Sequence, residues 1–214
     1  MTRTSIATDD FNRAGPDLGT NWSNMDTASP GDIKINSSVK FCGQYGMQAV
    51  ERRACARWVG AGTFTDDQYS SAYVSGIGTV PSSSAAIGVI CRASGNAGTR
   101  TFYEMLIVGD GTGVPHPTTL CKWVSGTRTL LYSAEISWAD NDEISLECEG
   151  TTIRACRNGA ALGGSWTVTD SSITTGAPGV ASSASSLFGD NWAGGNISTT
   201  ASVSSRKLLL GVGA

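Results

Sequence analysis

The sequence predicts an all-β chain folded as two stacked antiparallel sheets, and three observations predict it. Short segments of alternating apolar and polar residues, bounded by Gly, Ser, Asn or Asp, recur from end to end. No stretch sustains a helical period with caps. Charged residues are only 15% of the chain and glycine reaches 27 residues, which suits a turn-rich β protein and not a helical one.

A chain of 214 residues suits one all-β domain, read here as 1-214, since sandwiches of this length often stay undivided. Val80-Pro81-Ser82-Ser83-Ser84 and the loop from Gly111 to Pro117 are too short to separate domains. The net charge of −3, with Lys and Arg scattered, leaves no electrostatic footprint for nucleic acid. No apolar run approaches the ~20 residues of a membrane-spanning helix. Met1 to Thr8 lacks the apolar core of a signal peptide. The expectation is either a signal already removed or synthesis in the cytosol followed by release, as for a phage virion protein freed by lysis.

The elements follow in chain order. Asp9-Asp10-Phe11-Asn12-Arg13-Ala14, running into Leu18-Gly19-Thr20-Asn21-Trp22, opens the chain, and Gly189-Asp190-Asn191-Trp192-Ala193-Gly194-Gly195 comes near its close. These matching ends predict first and last strands lying side by side. Between them, period-2 segments predict strands over Asp32–Asn36, Val39–Glu51, Ala54–Val59, Gln68–Gly76, Ala86–Ala93 and Thr101–Val108. Further strands are expected over Thr119–Val124, Thr129–Ile136, Trp166–Asp170, Gly179–Ser183, Ile197–Ser204 and Lys207–Val212. Glu143–Glu149 and Thr152–Asn158 read as a hairpin closed by the two-residue turn Gly150-Thr151. In that register Glu147 faces Arg154, an opposite-charge cross-strand pair. A short helical turn is expected near Ser186-Leu187-Phe188.

The six cysteines (42, 55, 91, 121, 148 and 156) show no C-x-x-C spacing, and the single His116 gives no zinc pattern. In the hairpin register Cys148 shares a face with Ile153 while Cys156 points to the other side, so these two do not bond to each other. Buried free thiols are the preferred reading over disulfides, on the argument of cytosolic synthesis.

The opening Asp10-Phe11-Asn12-Arg13-Ala14…Leu18-Gly19-Thr20-Asn21-Trp22 resembles the start of concanavalin A-like lectin/glucanase jelly-roll domains found in phage particles and bacterial surface proteins. Three further stretches agree in order: Ile87 to Ser94 with Phe102-Tyr103-Glu104; Leu146 to Arg154 with Arg157-Asn158-Gly159; and Asp170 to Gly179, closing with Asp190-Asn191-Trp192. The resemblance covers nearly the whole chain and implies a two-sheet antiparallel jelly-roll β-sandwich. It implies little about activity, since one fold hosts lectins, hydrolases, lyases and structural domains.

Glycoside hydrolysis needs two carboxyl groups roughly 5–10 Å apart. The glycanases that the chain resembles carry theirs on one strand as Glu-x-Asp-x-Glu, a string this chain lacks; Glu147-x-Glu149 is taken as the nearest approach. The pairing with Arg154 favours a solvated hairpin face for that pair, and Asp140-x-Asp142-Glu143 reads as turn chemistry after Trp138. His116, between Pro115 and Pro117, is expected in a stiff extended loop with no triad partners. The resemblance also implies one structural Ca²⁺, with Asp9, Asp10 and Asp190 as ligand candidates if the end strands pair; turn capping is the alternative role for the same residues. For a glycan, Tyr69 and Tyr73 lie four apart on one strand face, and Arg92, Tyr103, Glu104 and Trp123 are expected on neighbouring strands, although Trp and Tyr also fill sandwich cores.

The expected function is a non-enzymatic phage virion structural protein, capsid-decorating or tail-associated, with weak glycan adhesion. Capsid or tail proteins, a cell-surface glycan and further copies of the chain are the expected partners, with Leu208-Leu209-Leu210 as one candidate contact. A soluble, secreted carbohydrate-binding module or lectin is the first alternative. A polysaccharide hydrolase or lyase is the second.

Overall fold

A computed structural model describes residues 1–25, 33–36, 40–43, 54–79, 85–96, 98–109, 115–183 and 186–198. Their strands are β1 (Thr2–Asp9), β2 (Trp22–Asn24), β3 (Ile33–Ile35), β4 (Phe41–Gly43), β5 (Ala54–Trp58), β6 (Gln68–Ser75), β7 (Ala86–Ser94) and β8 (Thr101–Val108). They continue as β9 (His116–Val124), β10 (Thr127–Ile136), β11 (Glu143–Glu149), β12 (Thr152–Arg157), β13 (Ala160–Ala161), β14 (Thr167–Thr169), β15 (Ala177–Ser182) and β16 (Phe188–Ser198). Two single 3₁₀ turns, Ile77–Thr79 and Gly164–Trp166, are the remaining regular elements among the described residues.

The strands form two sheets whose mapped pairings are antiparallel. The first runs β13-β12-β11-β6-β16-β4-β3, with β1 beside β16 and β14 beside β12; the second runs β10-β9-β8-β7-β15-β5-β2. Between the sheets lie Ala72, Val74, Ile144, Leu146, Cys148, Ile153 and Ala155 from the first, and Ile87, Val89, Cys91, Tyr103, Met105, Ile107 and Leu120 from the second. Each strand contributes every second residue, as period-2 alternation requires. The architecture is the sandwich expected from the sequence.

The two matching ends meet. β1 pairs with β16 so that Asp9 faces Trp192. The pairing of β16 with β6 shifts register between Asp190 and Ala193, a bulge that places Asn191 at φ 47° while Trp192 turns inward, fully buried. Trp192 joins Trp22 and Trp58, with ring centroids 4.7 and 5.3 Å away. Phe11 and Phe41 extend this aromatic cluster at the end of the sandwich.

The hairpin also forms as read. Glu147 faces Arg154, Cys148 faces Ile153, and Cys156 lies opposite Ser145 on the outer side. All six cysteines are buried free thiols, and Cys91 donates to the Leu146 carbonyl across the core at 3.3 Å. Burial pushes the Cys42 thiol up to about 11, so it carries no thiolate at neutral pH.

Two expectations are corrected. His116 starts strand β9 instead of lying in a loop; it is fully buried, with Nε2 3.1 Å from the Ile77 carbonyl oxygen. Flanking prolines are tolerated because Pro115 precedes the strand and Pro117, its second residue, lies beyond the pairing with β8, which ends at Thr118. Ser186-Leu187-Phe188 is no helical turn: Leu187 is buried and β16 starts at Phe188. For β1 and most of β16 the sequence predicts the pairing of the two ends, which forms, but no strand bounds. The expected strand Lys207–Val212, the Leu208-Leu209-Leu210 run, the end of Ile197–Ser204 and most of Val39–Glu51 lie outside the described residues.

Candidate functional site

The outer face of the first sheet is built by alternation. On β6 the residues Gln68, Ser70, Ala72 and Val74 turn inward, which leaves Tyr69, Ser71 and Tyr73 outward. β11 pairs with β6 so that Glu147 faces Tyr69, Ser145 faces Ser71 and Glu143 faces Tyr73. Glu143, Ser145 and Glu147 therefore occupy the spacing of the glycanase string, with Ser145 in the middle position. This set, and not Glu147-x-Glu149, is the nearest approach to that string.

Arg3 of β1 ties these residues together. Its Nε donates to Glu147 at 2.7 Å, Nη1 to Glu143 at 3.0 Å and Nη2 to Ser145 Oγ at 2.8 Å. β1 and β11 are separated by β16 and β6, a span of about 14 Å across a flat sheet. The long side chains of Arg3 and the glutamates bridge that span over the outer face of the sheet, above the strands that lie between. On the way the guanidinium passes over the Tyr69 ring, 5.1 Å from its centroid. Gly195 lies beneath that ring, where a Cβ would come within 2.8 Å of it and 2.0 Å of the Thr4 carbonyl oxygen. Tyr69 is thus covered on this face, and only 5% exposed.

Glu147 is held as an anion. Burial alone would raise the Glu147 carboxyl, but hydrogen bonds from Arg3 and Arg154 outweigh it and hold it below its ordinary 4.5. Arg154 donates to Glu147 at 2.7 Å and approaches Glu149 at 3.6 Å. An open hollow of about 570 Å³ lies over this network, lined by Met1, Arg3, Glu147, Arg154, Cys156, Gly159 and Ala161. Cys156 at its floor is no nucleophile, since burial pushes its thiol up to about 12.

Farther along β6 the face changes character. Tyr73 is 45% exposed. It lines a hollow of about 240 Å³ with Lys40, Ser75, Asn141, Asp190 and Asn191. Lys40 Nζ donates to Ser75 Oγ at 2.9 Å, which holds the ammonium beside the ring. Asn141 and Asn191 both sit in the left-handed region, φ 69° and 47°, where Asn is the best tolerated branched side chain. Asn191 also borders a hollow of about 520 Å³ with Asp9, Asp10, Arg13, Asn21 and Trp58. An aromatic face flanked by amides, a carboxylate and an ammonium can stack on the apolar side of a sugar ring and bond its hydroxyls.

Of the six residues expected to form a glycan patch, only Tyr69 and Tyr73 share this face. Arg92, Tyr103, Glu104 and Trp123 belong to the second sheet, so the expected neighbourhood is corrected. Tyr103 points into the core, where its hydroxyl donates to Asp170 at 2.6 Å. Glu104 and Trp123 lie on the far side of that sheet, buried and joined by a 3.2 Å bond from the indole. Arg92 is 1% exposed and bonds three backbone carbonyls. Alternation shows which residues share a strand face but not which sheet a strand joins, and the chain changes sheets between β6 and β7.

Asp9, Asp10 and Asp190 come to one end of the sandwich with other partners. Asp9 accepts from Arg13 at 2.6 and 2.8 Å, from the Trp22 indole at 2.6 Å and from the Phe11 amide at 2.8 Å. Asp10 caps Asn12 and Asp190 caps Asn191. No group of three or more His, Cys, Asp or Glu among the described residues is arranged to hold a metal ion. Asp9 spends both oxygens on Arg13, the Trp22 indole and the Phe11 amide, so an ion taking it as a ligand would have to displace Arg13.

Acid sensitivity follows from the same geometry. Burial works against the anions of Asp170 and Asp142. It is outweighed by Lys122, Tyr103 and Ser172 at the first, and by Asn158, the Ala139 amide and Arg157 at the second, so both stay below their ordinary 3.8. A depressed folded value contributes stability above the ordinary value and loses it as pH falls through the folded one. The melting temperature is expected to hold down to about pH 5 and to fall progressively below it. A Lys122→Met variant should lose less on acidification, which thermal melts against pH check.

No family model matches the chain, and no curated protein matches it in sequence. Solved structures match its fold. A carbohydrate-binding module from Bacillus subtilis superposes with a TM-score of 0.52 at 12% identity, over 83% of this chain and 93% of its own. The CBM2 module of the evolved Dit of Lactobacillus casei phage J-1 gives 0.53 at 13%, over 93% and 100%. A pseudo β-1,3-glucanase of Mycobacterium tuberculosis gives 0.54 at 9%, over 91% and 99%. At such identities the likeness is one of fold.

Proposed function

We propose that this concanavalin A-like jelly roll is a glycan-recognition module without catalysis, carried on a phage particle as a capsid-decorating or tail-associated protein. One observation carries the recognition reading: Tyr73 stands exposed in a hollow on the outer face of the first sheet, beside Asp190, Asn191, Asn141 and Lys40. The fold shared with carbohydrate-binding modules supports it, and the phage Dit module among them supports the particle.

The non-enzymatic reading rests on Arg3. A general acid must hold a proton near neutral pH, which requires a raised value. Glu147 is depressed instead, and one guanidinium spans it and Glu143. The sugar is a neutral one: Arg3 and Arg154 spend their donors on carboxylates of their own chain, and Asp190 stands beside Tyr73. Lys40 and Asp190 offset each other in that hollow, so it carries no surplus positive charge to favour uronic or sialic carboxylates.

A glycan array covering neutral and acidic polysaccharides tests this. Binding to neutral glycans is expected, and Tyr73→Ala should weaken it at least about tenfold, or about 1.4 kcal/mol. Val124→Ser, on the second sheet, should leave it unchanged. Binding to no glycan, or binding indifferent to Tyr73→Ala, would remove the reading.

A further inference from the structure

Among the described residues, no strand pairs with the outer edge of β10, which ends the second sheet. β10 is ten residues long, and Thr127, Thr129, Leu130, Ser133 and Glu135 along it are exposed, Leu130 to 52%. The strand at the sheet's other end, β2, has three residues. A long exposed edge leaves a row of N–H and C=O groups without strand partners, and proteins blunt such edges with Pro or Lys; β10 carries neither. Its one irregularity is a register shift against β9 between Leu130 and Tyr132.

That shift does something specific to two charges. Arg128 and Glu135 are seven positions apart, so an uninterrupted strand would place them on opposite faces. Across the shift Arg128 faces Trp123 and Glu135 faces Pro117, two residues six apart on β9, which pairs with β8 without interruption. Both charges therefore project from the same, outer face. In its own chain Arg128 donates to the Cys121 sulfur at 2.9 Å, a weak acceptor. No carboxylate pairs with Arg128, and no cation with Glu135, among the described residues.

We propose that two copies of this chain join through β10, antiparallel about a two-fold axis between Leu131 and Tyr132. This register sets Arg128 of each copy opposite Glu135 of the other, Thr129 opposite Ala134, and Leu130 opposite Ser133. The charge pattern is self-complementary, as a two-fold interface requires, and it yields two ion pairs per dimer. The register shift is what makes the symmetry work: residues that must meet across the axis share a face only because one extra residue lies between the two halves. The second sheet then runs continuously through both copies, and each exposed Leu130 is covered by the opposite strand. Strand pairing alone buries little surface, so the dimer forms reversibly in the micromolar range.

Sedimentation velocity on the full chain, from about 1 to 100 micromolar, tests this. A concentration-dependent monomer–dimer equilibrium is expected. Arg128→Glu and Glu135→Arg should each weaken it at least tenfold, by placing like charges opposite each other. The double variant restores opposite charges with reversed polarity and should recover the dimer. Glu135 is exposed and has no side-chain partner among the described residues, so its variant should fold even if the Arg128 variant does not. A chain monomeric throughout this range would overturn the proposal. A dimer indifferent to either reversal, or not recovered by the double variant, would overturn it equally.

Discussion

Replacing Trp192 with alanine is expected to cost about 3–5 kcal/mol of folding stability, the range for a large aromatic removed from a packed core. The ring is fully buried, edge-on to Trp22 and stacked on Trp58, and its indole donates to Ser70 Oγ at 2.9 Å. It also sits where the first and last strands pair, so its loss loosens the junction of β1, β16 and β6 together. Trp192→Phe keeps part of the packing but removes the indole donor, and should cost less. Urea unfolding of both variants measures the difference. A loss under about 1 kcal/mol for the alanine variant would mean that the end cluster does not hold the sandwich closed.

The second large effect is expected at Arg92. Its guanidinium donates to the carbonyls of Asp66 at 2.9 Å, Ile173 at 2.9 Å and Gly150 at 2.8 Å, binding three loops at one end of the sandwich. Asp67 lies 3.8 Å away as its counter-ion. Arg92→Ala leaves three acceptors without their donor and should cost about 3 kcal/mol or more. Arg92→Lys should recover little, because an ammonium on a flexible stem cannot reproduce a planar fork aimed in three directions. Equal stability of the lysine variant and the parent would show that charge, and not the fork, does the holding.

How far the molecule was legible depended on the range of the interaction involved. The 143–157 hairpin was readable to the residue because its turn, its alternation and the Glu147–Arg154 pair are all local. The pairing of the ends was readable from composition, but β16 as a strand was not: its bulge at Asp190–Ala193 breaks the period on which strand reading relies. β1 has no readable strand bounds because Thr2-Arg3-Thr4-Ser5-Ile6 carries too little apolar alternation, one of its faces belonging to the polar outer surface. In the site, the outward direction of Tyr69 and Tyr73 followed from spacing alone. The closing of Tyr69 by Arg3 did not, since Arg3 meets Glu147 across 144 positions of sequence. The same long-range ignorance grouped Trp123 and Glu104 with the tyrosines, although a sheet change separates them.

Recovery of a bound neutral glycan after long incubation with the protein tests the central claim most directly: the outer face of the first sheet recognises sugar through Tyr73 while Arg3 keeps Glu143 and Glu147 from acting on it. The account predicts that mass spectrometry finds the glycan intact, with no new reducing ends or unsaturated products, and that Tyr73→Ala retains far less of it. Fragments that accumulate with the parent protein and vanish with Glu147→Gln would contradict it.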